Sequence, residues 1–343
     1  MSILFDFLDK SISVPQLGNS WRSSLCADIF EAARTISYVE TVGSKADTLH
    51  KRISFADERA LKKGYEVQVR CLLKRLNLRK VELAIDGKKD LYYGKQGSIH
   101  VRGIKAEHGA DEAWEYLVIS VIRPVKLPLM VIRFPMGSDT ATCCVELLEY
   151  VRSLPIQIAK ILFDRHFYIG HLIDYLESRK EKKPLPYLIF VPKNDAIRRY
   201  IEQTGGSFGA YKHEMPYKRE KSTWIAKTII VICKNAGTNK KGEPYDWIFA
   251  TNLKPSYSLV RQYKARWNIE TGFRIMEEGK IKTKSNNPLV RFFYFLLRAL
   301  LSALWLLSTI MRAYTTFKRY LREAEGHLRQ FDVRKPPALV PLH

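Results

Sequence analysis

This chain has no pair of cysteines at C-x-x-C spacing. Its five cysteines, Cys26, Cys71, Cys143, Cys144 and Cys233, are odd in number and irregularly placed. That argues against a disulfide framework or a zinc knuckle, and for a reducing, intracellular setting. No Gly-rich phosphate loop of the Walker type occurs, and His166 and His171 do not stand in an H-E-x-x-H arrangement. Neither P-loop nucleotide hydrolysis nor zinc proteolysis is therefore indicated. No internal repeat is present, which sets aside solenoids and propellers. The opening Met1-Ser2-Ile3-Leu4-Phe5 lacks a basic stretch ahead of its apolar residues, so it does not read as a signal peptide. Acid is scarce: 35 Asp and Glu stand against 57 Lys and Arg, a formal charge of +22. An excess of that size calls for a polyanion, with nucleic acid ahead of an anionic membrane surface.

What is present supports a folded, multi-part protein. The 343 residues are 46% hydrophobic, enough for two or three domains or for one domain with a large insertion. The longest apolar run, Phe292 to Ile310, has the length of a bilayer span. Arg298 lies inside it, where a charge is costly, and basic residues flank both ends. A long helix buried against a sheet is the reading adopted, with no membrane partner.

Along the chain, residues 1–78 read as a helical N-terminal domain suited to DNA binding, with a helical cap as the plainer alternative. Asp47 is placed to cap a helix starting at Thr48. From about residue 79 the pattern becomes strands: Val81–Ile85, Tyr116–Ile122 and Leu127–Phe134, then a helix over Thr140–Ser153. A short buried strand follows at Lys160–Phe163, a helix over Ile169–Lys182, and another strand at Tyr187–Val191. Three strands, helix, strand, helix, strand is the order of a ribonuclease-H-like α/β fold, a mixed sheet flanked by helices. Residues 79–192 form its first part. Residues 193–252 read as a β-rich insertion with strands at Thr223–Cys233 and Trp247–Thr251. Residues 253–325 return to the core and carry a helix. Residues 326–343 read as a flexible, partly Pro-rich tail.

Three acids stand out. Asp86 follows the mostly apolar Val81–Ile85, Asp164 follows Lys160–Phe163, and Glu270 lies in the helical segment Tyr263-Lys-Ala-Arg266-Trp-Asn-Ile-Glu270. Singly, each has an ordinary reading: a turn former, a helix cap or a surface acid. Jointly, two strand ends and a helix can bring three carboxylates to one point, where hard oxygens hold Mg²⁺ or Mn²⁺ for phosphodiester chemistry. Tyr263, Arg266, Glu270, Arg274 and Glu277 share one helix face, while Ile269, Phe273 and Met276 mark an apolar one. Arginine forks suit phosphate; a ladder of salt bridges to Glu270 is the alternative. Trp224 and Trp247, in the insertion, are either core residues or base-stacking surfaces.

The spacing Tyr263-x2-Arg266-x3-Glu270 resembles the Y-R-E-K signature of bacterial and archaeal insertion-sequence transposases of the DDE class. Leu83-Ala84-Ile85-Asp86-Gly87 with Tyr92-Tyr93-Gly94-Lys95 is similar to that group's first-aspartate block. Phe163-Asp164-Arg165-x-Phe167-Tyr168 is similar to its second, with His166 where glycine is usual. The resemblance covers roughly residues 80 to 315. It implies a cytoplasmic, nucleoid-associated enzyme of cut-and-paste DNA transposition, acting as a homodimer on double-stranded DNA at terminal inverted repeats and at target DNA. It implies that Asp86, Asp164 and Glu270 are catalytic and ligate two Mg²⁺ or Mn²⁺ ions. Tyr263, Arg266, Arg274 and Lys280 would contact DNA. Where the group has lysine seven residues after the glutamate, this chain has Glu277, and Arg274 or Lys280 is the candidate replacement. A related nuclease, or a non-catalytic DNA-binding descendant, is the alternative function.

Overall fold

A computed structural model describes residues 2–12, 19–43, 45–94, 98–178, 183–238, 241–312 and 316–333. They fall into two compact units, one built from 1–77 and 271–343, the other from 78–270. The stretch expected as a second core part, 253–325, is thus divided at Glu270.

Five helices open the chain: α1 (Ser2–Ile12), α2 (Asn19–Thr35), α3 (Val39–Val42), α4 (Ala46–Phe55) and α5 (Glu58–Arg75). Asp57 caps α5, its carboxylate accepting from the Ala60 N–H at 2.6 Å. Asp47 does not cap α4; it lies in the first turn, and Lys45 occupies the cap position without a side-chain capping bond. A carboxylate there still favours the positive end of the helix dipole.

The second unit starts with β1 (Lys80–Tyr92), β2 (Arg102–Glu107), β3 (Ala110–Arg123) and β4 (Leu127–Arg133). Helix α6 (Thr140–Arg152), β5 (Gln157–Phe163), a 3₁₀ turn at Arg165–Phe167, α7 (Gly170–Glu177), β6 (Tyr187–Phe190) and α8 (Asp195–Gln203) follow. Then come β7 (Phe208–Arg219), β8 (Ser222–Thr238), β9 (Pro244–Thr251) and α9 (Leu259–Tyr263). A second 3₁₀ turn, Lys264–Arg266, leads into α10 (Trp267–Glu278), which passes from this unit into the helical one. Helices α11 (Pro288–Arg312) and α12 (Phe317–Val333) complete the helical unit.

All nine strands join one sheet in the order β2-β3-β1-β5-β6-β9-β8-β7, with β4 also on β3. Strands β1, β5 and β6 are parallel neighbours, and β3 and β9 flank them antiparallel. This is the mixed ribonuclease-H-like sheet expected from the element order. The core strands read as apolar runs because both faces are covered: Leu83, Ala84, Ile85, Ile161, Leu162, Phe163, Leu188 and Ile189 are fully buried. The β-rich stretch after residue 193 continues this sheet through the β6–β9 pairing. Its long β7–β8 hairpin is tied down where Tyr217 donates to Asp174 on α7 at 2.8 Å. Gly170, at the start of α7, permits that approach, since a Cβ there would lie 2.8 Å from the Tyr217 side chain.

In the helical unit the long apolar run is the core helix α11. By length and composition it could cross a membrane, but most of its apolar stretch within Pro288–Met311 is buried within the protein. Phe292, Phe293, Phe295 and Leu296 are sealed from solvent, and Phe293 stacks on Phe7 of α1 at 5.7 Å. Helix α12 continues through Gly326 to Val333, past the point where the sequence suggests a tail; residues 334–343 lie outside the described residues. Lys95 and the end of the helix expected over Ile169–Lys182, residues 179–182, also lie outside them.

Candidate active site

Strand register sets the first two acids side by side. In the parallel β1–β5 pair, Ile85 is opposite Phe163, and that is the last pair of the ladder. Asp86 and Asp164 are the next residues on the two strands. Asp86 does not end β1, as expected from sequence; the strand runs six residues further because β3 pairs with it, Asp86 opposite Val118. Only the β5 side opens after Ile85, and that leaves room for chemistry. Asp86 accepts from the Gly87 N–H at 2.9 Å, and Asp164 accepts from the Arg165 N–H at 2.7 Å as cap of the 3₁₀ turn. The capping reading of Asp164 is therefore correct without excluding another role.

The segment carrying Glu270 is tethered to the sheet at three points. Gln262 accepts from Lys160 of β5 at 2.7 Å. The Tyr263 hydroxyl donates to the Phe163 carbonyl, next to Asp164, at 3.0 Å. Asn268 donates to the Ile122 carbonyl of β3 at 3.2 Å. Between the tethers the helix tightens into the 3₁₀ turn at Lys264–Arg266, so the face expected to be continuous from Tyr263 to Glu277 is interrupted. Ile269, Phe273 and Met276 are buried, as their periodicity requires.

Arg266 is the centre of the site. Its guanidinium donates to Asp86 Oδ2 and to Glu270 Oε1, each at 2.8 Å. The side chain is 10% exposed, against 21% for Asp86 and 51% for Glu270. Burial pushes the Asp86 carboxyl above its ordinary value, Arg266 pulls it back, and Asp164 and Glu270 push the same way as burial. Burial works against the Arg266 charge, but Tyr263, Asp86, Asp164 and Glu270 more than offset it and raise its pKa. One guanidinium thus answers three carboxylates, leaving a local excess of negative charge. Hard, anionic oxygens of this kind suit Mg²⁺ or Mn²⁺. Among the described residues no three His, Cys, Asp or Glu side chains are drawn together tightly enough to hold a metal. The guanidinium bridges Asp86 and Glu270, so these carboxylates have the oxygen chemistry a divalent ion needs but would have to be released from Arg266 to hold one.

The other expected residues are placed differently. Tyr263 is 6% exposed and packs among Phe190, Trp247 and Phe249, its phenol pK pushed up by burial; its hydroxyl is spent on the Phe163 carbonyl. His166 is 83% exposed, its Nδ1 3.5 Å from Asp164 Oδ2. Arg274 is exposed and donates to Thr271 at 3.2 Å. Lys280 is ion-paired with Glu277 at 3.6 Å. Glu277 also accepts from Arg298 at 3.0 Å, within the helical unit. Trp247 is buried, whereas Trp224, opposite Tyr217 in the β7–β8 hairpin, is 48% exposed. Gly205-Gly206-Ser207-Phe208-Gly209 has the spacing of a nucleophile elbow, but it joins a helix to a strand, the reverse of what an elbow needs. Sequence reading missed Gln262 and Asn268. Their partners are a lysine and a backbone carbonyl more than a hundred positions away, and no local pattern marks them.

A mixed sheet with acids at the end of one parallel ladder and a third acid on the facing helix is a ribonuclease-H-like arrangement. The Transposase DDE domain family matches residues 80–304, more than half of the chain, and the chain belongs to that family. No curated protein matches it. Among solved structures it is similar to the cryo-EM structure of the piggyBac transposase synaptic complex with hairpin DNA. The TM-score is 0.56 at 12% identity, over 98% of this chain and 80% of that one. At that identity the likeness speaks for the fold alone.

Proposed function

We propose that this transposase is of the Y-R-E-K insertion-sequence subgroup. It cuts the DNA strand joining an element end to its flank and transfers the freed 3′-hydroxyl into target DNA. The observation that carries the reading is that Arg266 donates to both Asp86 and Glu270 at 2.8 Å, while Asp164 stands beside Asp86 one step past the last β1–β5 pair, inside the matched domain. Asp86, Asp164 and Glu270 would hold two Mg²⁺ or Mn²⁺ ions. When bound, these would activate water or the 3′-hydroxyl and offset charge on the leaving oxygen. Arg266 keeps the carboxylates from repelling one another in the resting site, and its swing toward phosphate would release Asp86 and Glu270 as ligands. Tyr263 acts as a positioning residue, pinning the helix segment to the strand end that presents Asp164. The positive balance of the chain supports double-stranded DNA as substrate; a homodimer on paired ends is part of the proposal.

Purified protein with an end-containing duplex in Mg²⁺ tests this directly. The expected products are a nick or break at the element boundary and, with target DNA present, a joined strand. Cleavage without joining would favour the nuclease alternative, and no cleavage with either metal would remove the reading. Tyr263→Phe keeps the ring and loses the tether to Phe163. We expect cleavage to fall roughly ten- to a hundredfold through misplacement of the site, with duplex affinity unchanged. A loss of affinity with unchanged turnover would return Tyr263 to the DNA surface. Binding should also weaken steeply with salt, log Kd changing by about 0.9 per phosphate contact for each decade of salt concentration. A flat titration would contradict a backbone-tracking protein.

A further inference from the structure

Residues 280–287 form a strap in the helical unit, fixed along its length. Lys282 and Val39 exchange backbone bonds through Ser37: the Lys282 N–H donates to the Ser37 carbonyl at 3.1 Å, and the Val39 N–H to the Lys282 carbonyl at 3.0 Å. Glu40 accepts from the Thr283 hydroxyl at 2.5 Å and from the Lys284 N–H at 2.8 Å. Asn287 donates to Ser54 of α4 at 3.2 Å, and Arg291 donates to the Ser285 carbonyl at 2.7 Å. Ile281 and Thr283 point inward, at 5% and 3% exposure, so the alternation of extended chain turns Lys282 and Lys284 out to solvent.

Both ammonium groups converge on one aromatic ring. Lys282 Nζ is 5.9 Å and Lys284 Nζ 5.8 Å from the centroid of Tyr38, itself 42% exposed. Among the described residues neither lysine is ion-paired with a carboxylate. An aromatic partner orders a cation without neutralising it. Glu40, on α3 against the strap, accepts from Thr283 and the Lys284 N–H through Oε1 and does not reach either lysine ammonium. The pair therefore keeps its full charge for an external anion. Ser54, which meets the strap, shares a helix face with the exposed Lys51, and Phe55 beside it is 82% exposed. The face thus presents two cations ordered on the Tyr38 ring, with Lys51 and Phe55 exposed on the neighbouring helix α4.

We propose that this face of the helical unit is a second DNA contact, separate from the carboxylate site. There Lys282 and Lys284 take phosphates of the duplex backbone, and Tyr38 holds the two ammonium groups in place. The inference rests on the reading of the chain as a DNA-acting enzyme. Such contacts position the protein without reading sequence.

The test is fluorescence anisotropy of the full chain on a labelled duplex, across a salt series. Four variants accompany the wild type: K282Q/K284Q, the charge-matched control K62Q/K63Q, and Tyr38→Leu and Tyr38→Phe. Thermal melts check that each remains folded. Loss of two phosphate contacts lowers the salt slope by about 1.8, so curves that converge near 1 M salt part by roughly sixty-fold at 0.1 M. The control retains the wild-type slope. Tyr38→Leu weakens binding with the slope kept, and Tyr38→Phe, which preserves the ring, restores it. If K282Q/K284Q tracks the control while the wild type binds with a steep slope, this inference falls and the function stands. If the wild type does not bind duplex DNA, both fall.

Discussion

Asp164→Ala is expected to lower Mg²⁺-dependent cleavage of an end-containing duplex by about three orders of magnitude or more, with duplex affinity intact. Asp86→Ala and Glu270→Ala should do the same, and removing two acids together should cost little more than removing one, because they act as a unit. Their effects on stability should differ. Asp86 is 21% exposed and holds a guanidinium that is itself 10% exposed, so its removal leaves a buried charge with a lost partner. A destabilisation of about 1–3 kcal/mol follows. Glu270 is half-exposed, and its ion pair with Arg266 should contribute well under that. Asp86→Asn, which keeps an acceptor for Arg266, separates the two effects. Full cleavage in any one of the three alanine variants would remove the proposed mechanism, whereas joint loss of cleavage and binding would trace to unfolding, which a melt reveals.

Glu277→Lys restores the residue that the resembling group carries seven positions after its glutamate, yet it should damage this protein. Arg298 is 2% exposed, lies over Phe295 at 4.0 Å, and meets Glu277 at 3.0 Å. A lysine there would set a second cation against a buried one. Breaking a buried pair by removing one partner typically costs about 3–5 kcal/mol. Glu277 is about a third exposed, so about 2–4 kcal/mol is expected here, read by urea or thermal unfolding. The double variant Glu277→Gln with Arg298→Met, which removes both charges, should recover most of the loss. A Glu277→Lys protein as stable as the wild type would show that the pair does not hold this position. The departure at Glu277 thus has a structural account in the helical unit and does not by itself argue for lost catalysis.

Much of the core was legible because the signals are local. The apolar runs at Val81–Ile85, Lys160–Phe163 and Tyr187–Val191 became β1, β5 and β6, since a strand covered on both faces must be apolar throughout. Helices α6 and α10 followed from their apolar spacing. Strand β7 and helix α8 were missed. In β7, Tyr211, His213, Met215 and Tyr217 alternate with the exposed Lys212, Glu214 and Pro216. It is an edge strand, and one face of a half-exposed edge carries little hydrophobic contrast. Helix α8 is strongly amphipathic and capped by Asn194, so its signal was present in the sequence; at nine residues it is short enough to pass for part of the loop that follows.

By itself the sequence determined that this chain folds around an apolar mixed sheet, carries its three acids in transposase order and bears a large positive charge. Those follow from residue type and short spacing, which survive without coordinates. Only the tertiary structure decided what each side chain meets. It placed Arg266 between Asp86 and Glu270, turned Tyr263 inward to the Phe163 carbonyl, and matched Glu277 to Arg298. Its register also put Asp86 and Asp164 one step beyond the last β1–β5 pair. Partners that lie tens to hundreds of residues apart meet only through strand register and packing, and no local pattern in the chain encodes which of them will touch.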